Sequence, residues 1–151
     1  MAASVTTHPE PLVVMRWASE PLSVGRARSS LRRVLERWEL NTLVAPAELV
    51  LSELFTNAIQ HVDAEVADRL VETRFAREAG GVRIEVHDAG DRMPVRHKAG
   101  EDEESGRGLF LVAAVVGPDG WGVSEREGVG KRVWARVTVA CCGEAGAGVQ
   151  V

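Results

Sequence analysis

Hydrophobic residues recur along the chain with two different spacings, and each spacing predicts one kind of secondary structure. Over 22–40 and again over 45–62, apolar residues return every three or four positions, which is typical of amphipathic helices. Over 81–89, Val82, Ile84 and Val86 alternate with charged residues, the pattern of a half-buried strand. The apolar run 108–116 predicts a short buried helix. The other predicted strands cover 11–17, 69–78, 121–127 and 131–139.

Turn-forming residues separate these elements. Ser19 and Pro21 predict a helix start, with Ser19 as the N-cap and Pro21 in the first turn. The Gly80-Gly81 pair predicts a hairpin between the strands 69–78 and 81–89. Residues 90–105 are polar and contain a proline and two glycines, so we expect a long loop, which in a compact domain tends to be functional.

The order of the elements predicts an α/β fold. Helices alternate with strands in a way that favours a two-layer α/β sandwich, with the helices packed on one face of a mixed or antiparallel sheet. A chain of 151 residues suits one domain with a real core. We therefore expect a flexible leader over 1–10, a folded domain over 11–139 and a flexible glycine-rich tail over 140–151.

Composition narrows the class of protein. A hydrophobic content of 45% is ordinary for a soluble globular protein, and a formal net charge of −4 argues against a general nucleic-acid binder. No apolar run approaches the length of a membrane span, and the N-terminal residues do not resemble a secretory signal. Cys141 and Cys142 are adjacent and suggest no disulfide framework. We expect a cytoplasmic protein that binds no nucleic acid directly and no membrane.

Three polar side chains interrupt the second helix at every fourth residue, in the stretch ELFTNAIQH. A helical projection places Glu53, Asn57 and His61 along one border of the apolar stripe, where a helix can face a cleft. An Asn oxygen there can bind Mg²⁺, and a Glu one turn earlier can accept a proton from a hydroxyl or a water. Ordinary flank residues with local hydrogen bonds are the alternative reading.

Two further motifs could carry chemistry. In VHDAG, Asp88 ends a strand and can accept a hydrogen bond from an exocyclic amine, while Gly90 lets a flat ring approach the backbone. In SGRGLFLV, Gly106 and Gly108 precede a predicted helix whose first N–H groups could bind phosphate oxygens. A simple turn and a simple helix start are the alternatives.

The arginines of the first predicted helix form either a solvated face or a binding surface for an acidic partner.

The order of these motifs resembles the GHKL superfamily, which has the Bergerat ATP-binding fold and includes histidine kinases, gyrase-type ATPases and anti-sigma factor kinases. ELVLSELFTNAIQHV looks like the N box, VRIEVHDAG like the first glycine box and GRGLFLV like the second. The resemblance covers about 11–139. The small size and the short separation of the glycine boxes look most like the anti-sigma factor serine/threonine kinase branch, found as small ATP-binding regulators in actinomycetes.

The resemblance implies ATP and Mg²⁺ as cofactors and a role for each motif residue. Glu53 would be the general base and Asn57 the Mg²⁺ ligand, with His61 beside the phosphates. Asp88 would bind the adenine amine and Gly90 the ring. The second glycine box would hold the phosphates through Gly106, Gly108 and Leu109, and Arg107 could add a charge-assisted phosphate contact.

Two residues depart from the family pattern. Arg92 replaces the second glycine of the first box, and Arg132 stands where the family often has a threonine that helps to hold adenine. The resemblance implies a serine/threonine kinase that binds a sigma factor and phosphorylates an anti-anti-sigma protein of the STAS type, and it allows a homodimer. The departures motivate the alternative of a non-catalytic GHKL-fold regulator. A detached sensor histidine kinase domain is a third reading.

Overall fold

Five strands form one antiparallel sheet in the order β1-β2-β3-β5-β4. The computed structural model describes residues 11–60, 70–88, 99–125 and 131–140, and of 88, 99–107 and 125 it describes the backbone. The strands are β1 (Leu12–Ala18), β2 (Leu70–Glu78), β3 (Gly81–Asp88), β4 (Trp121–Glu125) and β5 (Lys131–Thr138). The predicted hairpin is confirmed, because Gly80 adopts φ +68° between β2 and β3.

Three helices cover one face of this sheet. They are α1 (Pro21–Arg37), α2 (Val44–Gln60) and α3 (Ala99–Val116), and a 3-10 turn, Asn41–Leu43, leads into α2. Helix α1 lies against β1 and α2, α2 covers the central strands β2, β3 and β5, and α3 lies over β5 and β4. The predicted element order and the two-layer α/β sandwich are therefore confirmed.

The core lies between the helices and the sheet. Strand alternation directs Val82, Ile84 and Val86 toward the helices, and all three are buried. They meet fully buried residues of α2, among them Leu54 and Phe55. The opposite face of the sheet carries no described helix and is rich in charged residues, so one face of each central strand is apolar and the other is polar.

The N-cap of α1 differs from the prediction. The N-cap is Glu20, in an extended conformation at φ −151° and ψ 156°, and not Ser19. The physical reason is Pro21 at the start of the helix, because a proline excludes helical conformations from the residue before it. Helix α1 also ends at Arg37, three residues before the predicted end at Leu40.

Helix α3 begins much earlier than predicted. The expected loop over 90–105 and helix over 108–116 become a helix that starts at Ala99, while 89–98 lie outside the described residues. The segment EDEE (101–104) explains the difference, since glutamate is a good helix former and acidic residues near a helix N-terminus are stabilised by its positive dipole. Gly106 and Gly108 therefore lie inside α3.

One span of the described residues is long and apolar enough to cross a bilayer by length and composition alone. It is Asn41–Gln60, which contains α2. Many of its side chains lie in the core, including Leu51, Leu54 and Phe55 with no exposed surface. We assign it as the central core helix on the basis of these contacts with the sheet and the other helices.

Candidate functional site

Helix α2 carries the first part of the candidate site. Glu53 is half-buried and Asn57, one turn later, is buried with 5% of its surface exposed. The fully buried Leu54 and Phe55 fix the rotation of the helix, so the Glu53–Asn57 row runs along the border of the apolar stripe, as predicted for these two positions. Asn57 makes a polar interaction within the protein. His61, the third member of the predicted row, lies outside the described residues.

Helix α3 carries the second part. It packs against α2, and Gly108 faces Glu53 so closely that a Cβ atom at Gly108 would lie 3.4 Å from the Oε1 atom of Glu53. Leu109 is half-buried against the core, whereas Phe110 points outward with 73% of its surface exposed. The structure therefore brings Glu53 and Gly108 together across the interface of α2 and α3, with Asn57 one turn from Glu53 on α2 and Leu109 next to Gly108 on α3.

The backbone of the second glycine box is helical. Gly106, Arg107 and Gly108 all lie within α3, well after its first turn. Inside an α-helix each N–H donates to the carbonyl four residues earlier, so these N–H groups are not the unpaired helix-start donors that the sequence predicted. For them to bind phosphate oxygens, the N-terminal turns of α3 would have to unwind.

Asp88, the residue predicted to bind adenine, is described by the structure at its backbone. Asp88 is the last residue of the central strand β3 and pairs with the buried Val71 of β2. Helix α2 packs on β3, the strand that Asp88 ends. Gly90 and Arg92 lie outside the described residues.

The residues on α2 fit a nucleotide-bound Mg²⁺ better than a metal held by protein alone. The amide oxygen of Asn57 is a hard oxygen ligand of the kind that Mg²⁺ prefers, which leaves the carboxylate of Glu53 available as a base. No group of three or more His, Cys, Asp or Glu placed to hold a metal occurs in the part of the chain that the structure describes. If Mg²⁺ binds here together with a nucleotide, Asn57 would hold it, and the ion would supply positive charge beside the phosphates.

Arg132 lies away from these residues. On β5 it pairs with His87 of β3 and Ser124 of β4, and its Nε atom donates a hydrogen bond to Ser124 Oγ at 3.0 Å. The next residue, Val133, is buried toward the helices. Because neighbouring strand residues point to opposite faces, the guanidinium of Arg132 lies on the helix-free face and not between the sheet and α2.

An ion-pair network on the helix-free face was missed by the sequence reasoning. Glu85 accepts hydrogen bonds from His87 Nε2 at 2.8 Å and from Arg83 Nε at 2.6 Å. The hydrogen bond from His87, followed by the bond and charge of Arg83, lowers the pKa of Glu85 to about 2 against the opposing effect of burial. The alternating charged residues along β3 indicated a half-buried strand, but they did not indicate these pairs.

Trp134 organises the same face. Its ring lies under the guanidinium of Arg83, 4.5 Å from the ring centroid, and near that of Arg136 at 5.5 Å. Gly122 on β4 lets the ring approach, since a Cβ atom there would lie 2.8 Å from a ring carbon of Trp134. These contacts are structural and are separated from Glu53 by the thickness of the sheet.

The protein is an α/β sandwich in which the helix that carries Glu53 and Asn57 packs against the helix that contains Gly108. The sequence matches the family model of the histidine kinase-like ATPase domain over residues 17–140. The chain belongs to that family of ATP-binding domains, so the GHKL resemblance is confirmed at this level.

Eleven chains of solved structures are similar to this chain, and a histidine kinase domain is among them. The histidine kinase domain of the blue-light activated histidine kinase EL346 from Erythrobacter litoralis is similar at 19% identity with a TM-score of 0.46. The match covers 80% of this chain and 61% of that one, so this chain spans about three fifths of its length. No curated protein sequence matches the chain.

Proposed function

We propose that this protein binds ATP with Mg²⁺ and transfers the γ-phosphoryl group to a serine or threonine of an anti-anti-sigma protein of the STAS type. In the same proposal it also binds a sigma factor and works in the cytoplasm, as an anti-sigma factor kinase would. The membership of the histidine kinase-like ATPase domain family supports ATP as the ligand. The choice of branch and of protein partners rests on the sequence resemblance.

The observation that carries the proposal is the placement of Glu53. Its carboxylate is half-buried beside Gly108 on α3, and Asn57 lies one turn further along the same helix. Glu53 would accept the hydroxyl proton of the substrate as the hydroxyl oxygen bonds to the γ-phosphorus and ADP departs. Asn57 would hold Mg²⁺ against the phosphate oxygens, and bound Mg²⁺ neutralises charge that develops on them.

The first experiment measures ATP binding by calorimetry, with Mg²⁺ and with EDTA. Wild-type protein should bind ATP more tightly with Mg²⁺, and Asn57→Ala should remove most of that Mg²⁺ dependence. Asp88→Asn should weaken binding in both conditions, because a neutral amide replaces the charged carboxylate that would accept from the adenine amine. Thermal unfolding of each variant checks that the fold is intact. Absence of ATP binding by a folded wild-type protein would refute the proposal.

The second experiment measures transfer of radiolabelled phosphate to purified STAS-domain proteins. Glu53→Gln should lower the rate by roughly 10²–10⁴, which is the usual contribution of a general base. Glu48→Gln is the matched control, because Glu48 lies on the same helix but pairs with Arg32 at 2.9 Å. Equal loss in both variants would indicate a structural effect rather than loss of a base.

A second candidate function is a non-catalytic regulator that uses the fold to bind protein. The observation that favours it is the helical backbone through Gly106 and Gly108, because their N–H groups are used within α3. Under this reading ATP would bind weakly or not at all, and phosphate transfer would be absent. Transfer that depends on Glu53 would rule it out.

A further inference from the structure

The free edge of the sheet at β1 is the feature with no role in the proposed kinase site. Among the described strands β1 pairs with β2 alone. The carbonyl of Pro11 accepts a hydrogen bond from the N–H of Arg77 at 3.0 Å, which fixes the phase of the ladder. In an antiparallel pair the bonded positions alternate, so Val13, Met15 and Trp17 bond to β2. The backbone groups of Leu12, Val14 and Arg16 consequently point to the open edge.

Over its described residues, the edge has only one feature that discourages another strand from adding to it, the exposed charge of Arg16, and that side chain is paired with Glu72 of β2 at 3.2 Å. Strand β1 has seven residues and contains no proline, lysine or glycine. Leu12 and Val14 have 55% and 46% of their surfaces exposed, on the helix-free side of the sheet. An extended segment that paired with this edge would find both backbone partners and apolar contacts.

A basic stripe of α1 borders the same edge on the other side. Ser30 of α1 contacts Met15 of β1, with 2.9 Å between the hydroxyl oxygen and the sulfur. Arg26, Arg33 and Arg37 lie four residues before, three after and seven after Ser30, so they share its side of the helix. All three are exposed, and no carboxylate of the described residues pairs with them. We call this set the α1 arginine stripe.

The other side of α1 is different. There Arg32 pairs with Glu48 of α2, with its Nε atom 2.9 Å from the carboxylate. The arginines of α1 are therefore not one uniform solvated face. Arg32 is neutralised by Glu48 of α2, whereas the α1 arginine stripe shares the side of the helix on which Ser30 contacts β1.

From this geometry we infer that the groove between β1 and the α1 arginine stripe binds an extended segment of a partner protein in which acidic and apolar residues alternate. The segment adds to the sheet as a sixth strand next to β1. Its acidic side chains face the arginine stripe, and its apolar side chains cover Leu12 and Val14. The helix α3 and β4 lie at the opposite end of the sheet, so this docking does not depend on the proposed kinase activity.

A second copy of this chain fits the groove poorly. Pairing of two β1 strands about a two-fold axis would bring two α1 helices side by side on the same face of the continuous sheet. Their arginine stripes would then face each other, and like charges at close range oppose association. A segment with net negative charge meets no such cost.

The test uses a fluorescein-labelled peptide of ten alternating glutamates and valines, titrated at 150 mM salt and followed by anisotropy. Two control peptides separate the contributions. One has lysine in place of glutamate, and the other is N-methylated at every backbone amide and cannot pair with the edge. We expect saturable binding of the first peptide and at least tenfold weaker binding of both controls. Equal binding of either control, or no binding of the first peptide, would overturn the inference.

Matched variants test the groove on the protein side. Arg33→Glu should weaken peptide binding about fivefold or more, in line with the loss and reversal of an exposed charge contact. Arg28→Glu makes the same charge change on the same helix outside the stripe and should alter binding less than twofold at this ionic strength. Val14→Pro removes an N–H that points to the edge while leaving the ladder with β2 intact, and should also weaken binding.

Hydrogen exchange locates the peptide independently of any variant. In the unbound protein the N–H groups of Val14 and Arg16 should exchange fast, whereas those of Val13 and Met15 are protected by β2. Bound peptide should slow exchange at Val14 and Arg16 by at least tenfold. Protection that instead appears with rising protein concentration and without peptide would show that a second copy occupies the edge, and the inference would be wrong.

Discussion

The carboxylate of Glu53 and the backbone of Gly108 face each other across the interface of α2 and α3, where a Cβ atom on Gly108 would lie 3.4 Å from Glu53 Oε1. That distance is an ordinary van der Waals contact, so the fold does not require glycine at this position. The absent side chain instead leaves room next to the proposed general base. Stability and activity should therefore respond to a side chain at Gly108 in opposite directions.

Gly108→Ala should stabilise the protein and impair phosphate transfer. Alanine is favoured over glycine in a helix interior by up to about 1 kcal/mol, so the free energy of unfolding should rise. Phosphate transfer should fall, because the new methyl group fills the space beside the Glu53 carboxylate and the helix becomes harder to unwind at the second glycine box. Urea unfolding and the radiolabelled transfer assay measure the two effects.

Gly25→Ala is the control for this change. Gly25 lies in α1, is exposed and would place a Cβ atom with nothing within 4 Å. It should give a similar gain in stability with no change in transfer. If Gly108→Ala left transfer at the wild-type rate, the space beside Glu53 would have no part in the reaction.

The sequence predicted the sheet and the central helix well and the boundaries of α3 poorly. Val82, Ile84 and Val86 follow a period of two that only a half-buried strand explains, and Glu53 and Asn57 keep to the edge of a strong apolar stripe. For α3, Gly106 and Gly108 suggested a break, whereas the preceding glutamates favour helix. The spacing of apolar residues does not show which of these opposing single-residue preferences prevails.

The open edge of β1 and the orientation of Arg132 are also properties of the fold rather than of any local pattern. Strand order decides that β1 has one neighbour, and it follows from contacts between distant segments. The phase of β5 decides that Arg132 lies on the helix-free face, one residue before the buried Val133. A shift of one residue would have placed it toward the helices.

The ion pairs of Glu85 should make stability depend on pH in the acid range. Its pKa is lowered to about 2 from an ordinary value of 4.5, so the folded state favours the charged carboxylate. The resulting stabilisation is fully present above about pH 4.5 and is lost as the pH falls toward 2. Partial screening by solvent limits it to about 1–2 kcal/mol.

Glu85→Gln tests this directly. The variant should be less stable than wild type at pH 7 by urea unfolding, and the difference should shrink at pH 3 because the wild-type carboxylate begins to lose its advantage. Glu36→Gln, an exposed residue of α1, controls for removal of one negative charge. A difference between Glu85→Gln and wild type that stays constant from pH 7 to pH 2 would contradict the assigned network.

The end of α1 holds a residue in a conformation that suits glycine better. Glu39 has φ +60°, and the N–H of Leu40 bonds to the carbonyl of Leu35 at 2.8 Å while that of Glu39 bonds to Glu36 at 3.1 Å. These two bonds form a Schellman motif, in which the left-handed residue after the C-cap is usually glycine. For an L-residue with a side chain, this left-handed conformation costs roughly 1 kcal/mol or more.

Glu39→Gly should consequently raise the free energy of unfolding by about 1 kcal/mol, although glycine substitutions usually destabilise folded proteins. Glu36→Gly offers a matched control three residues earlier, because Glu36 is exposed in the last turn of the same helix. That change should lower stability by about 1 kcal/mol, since glycine is a poor helix former. Urea unfolding of both variants measures the sign, and a loss of stability in both would mean that the motif does not favour glycine at Glu39.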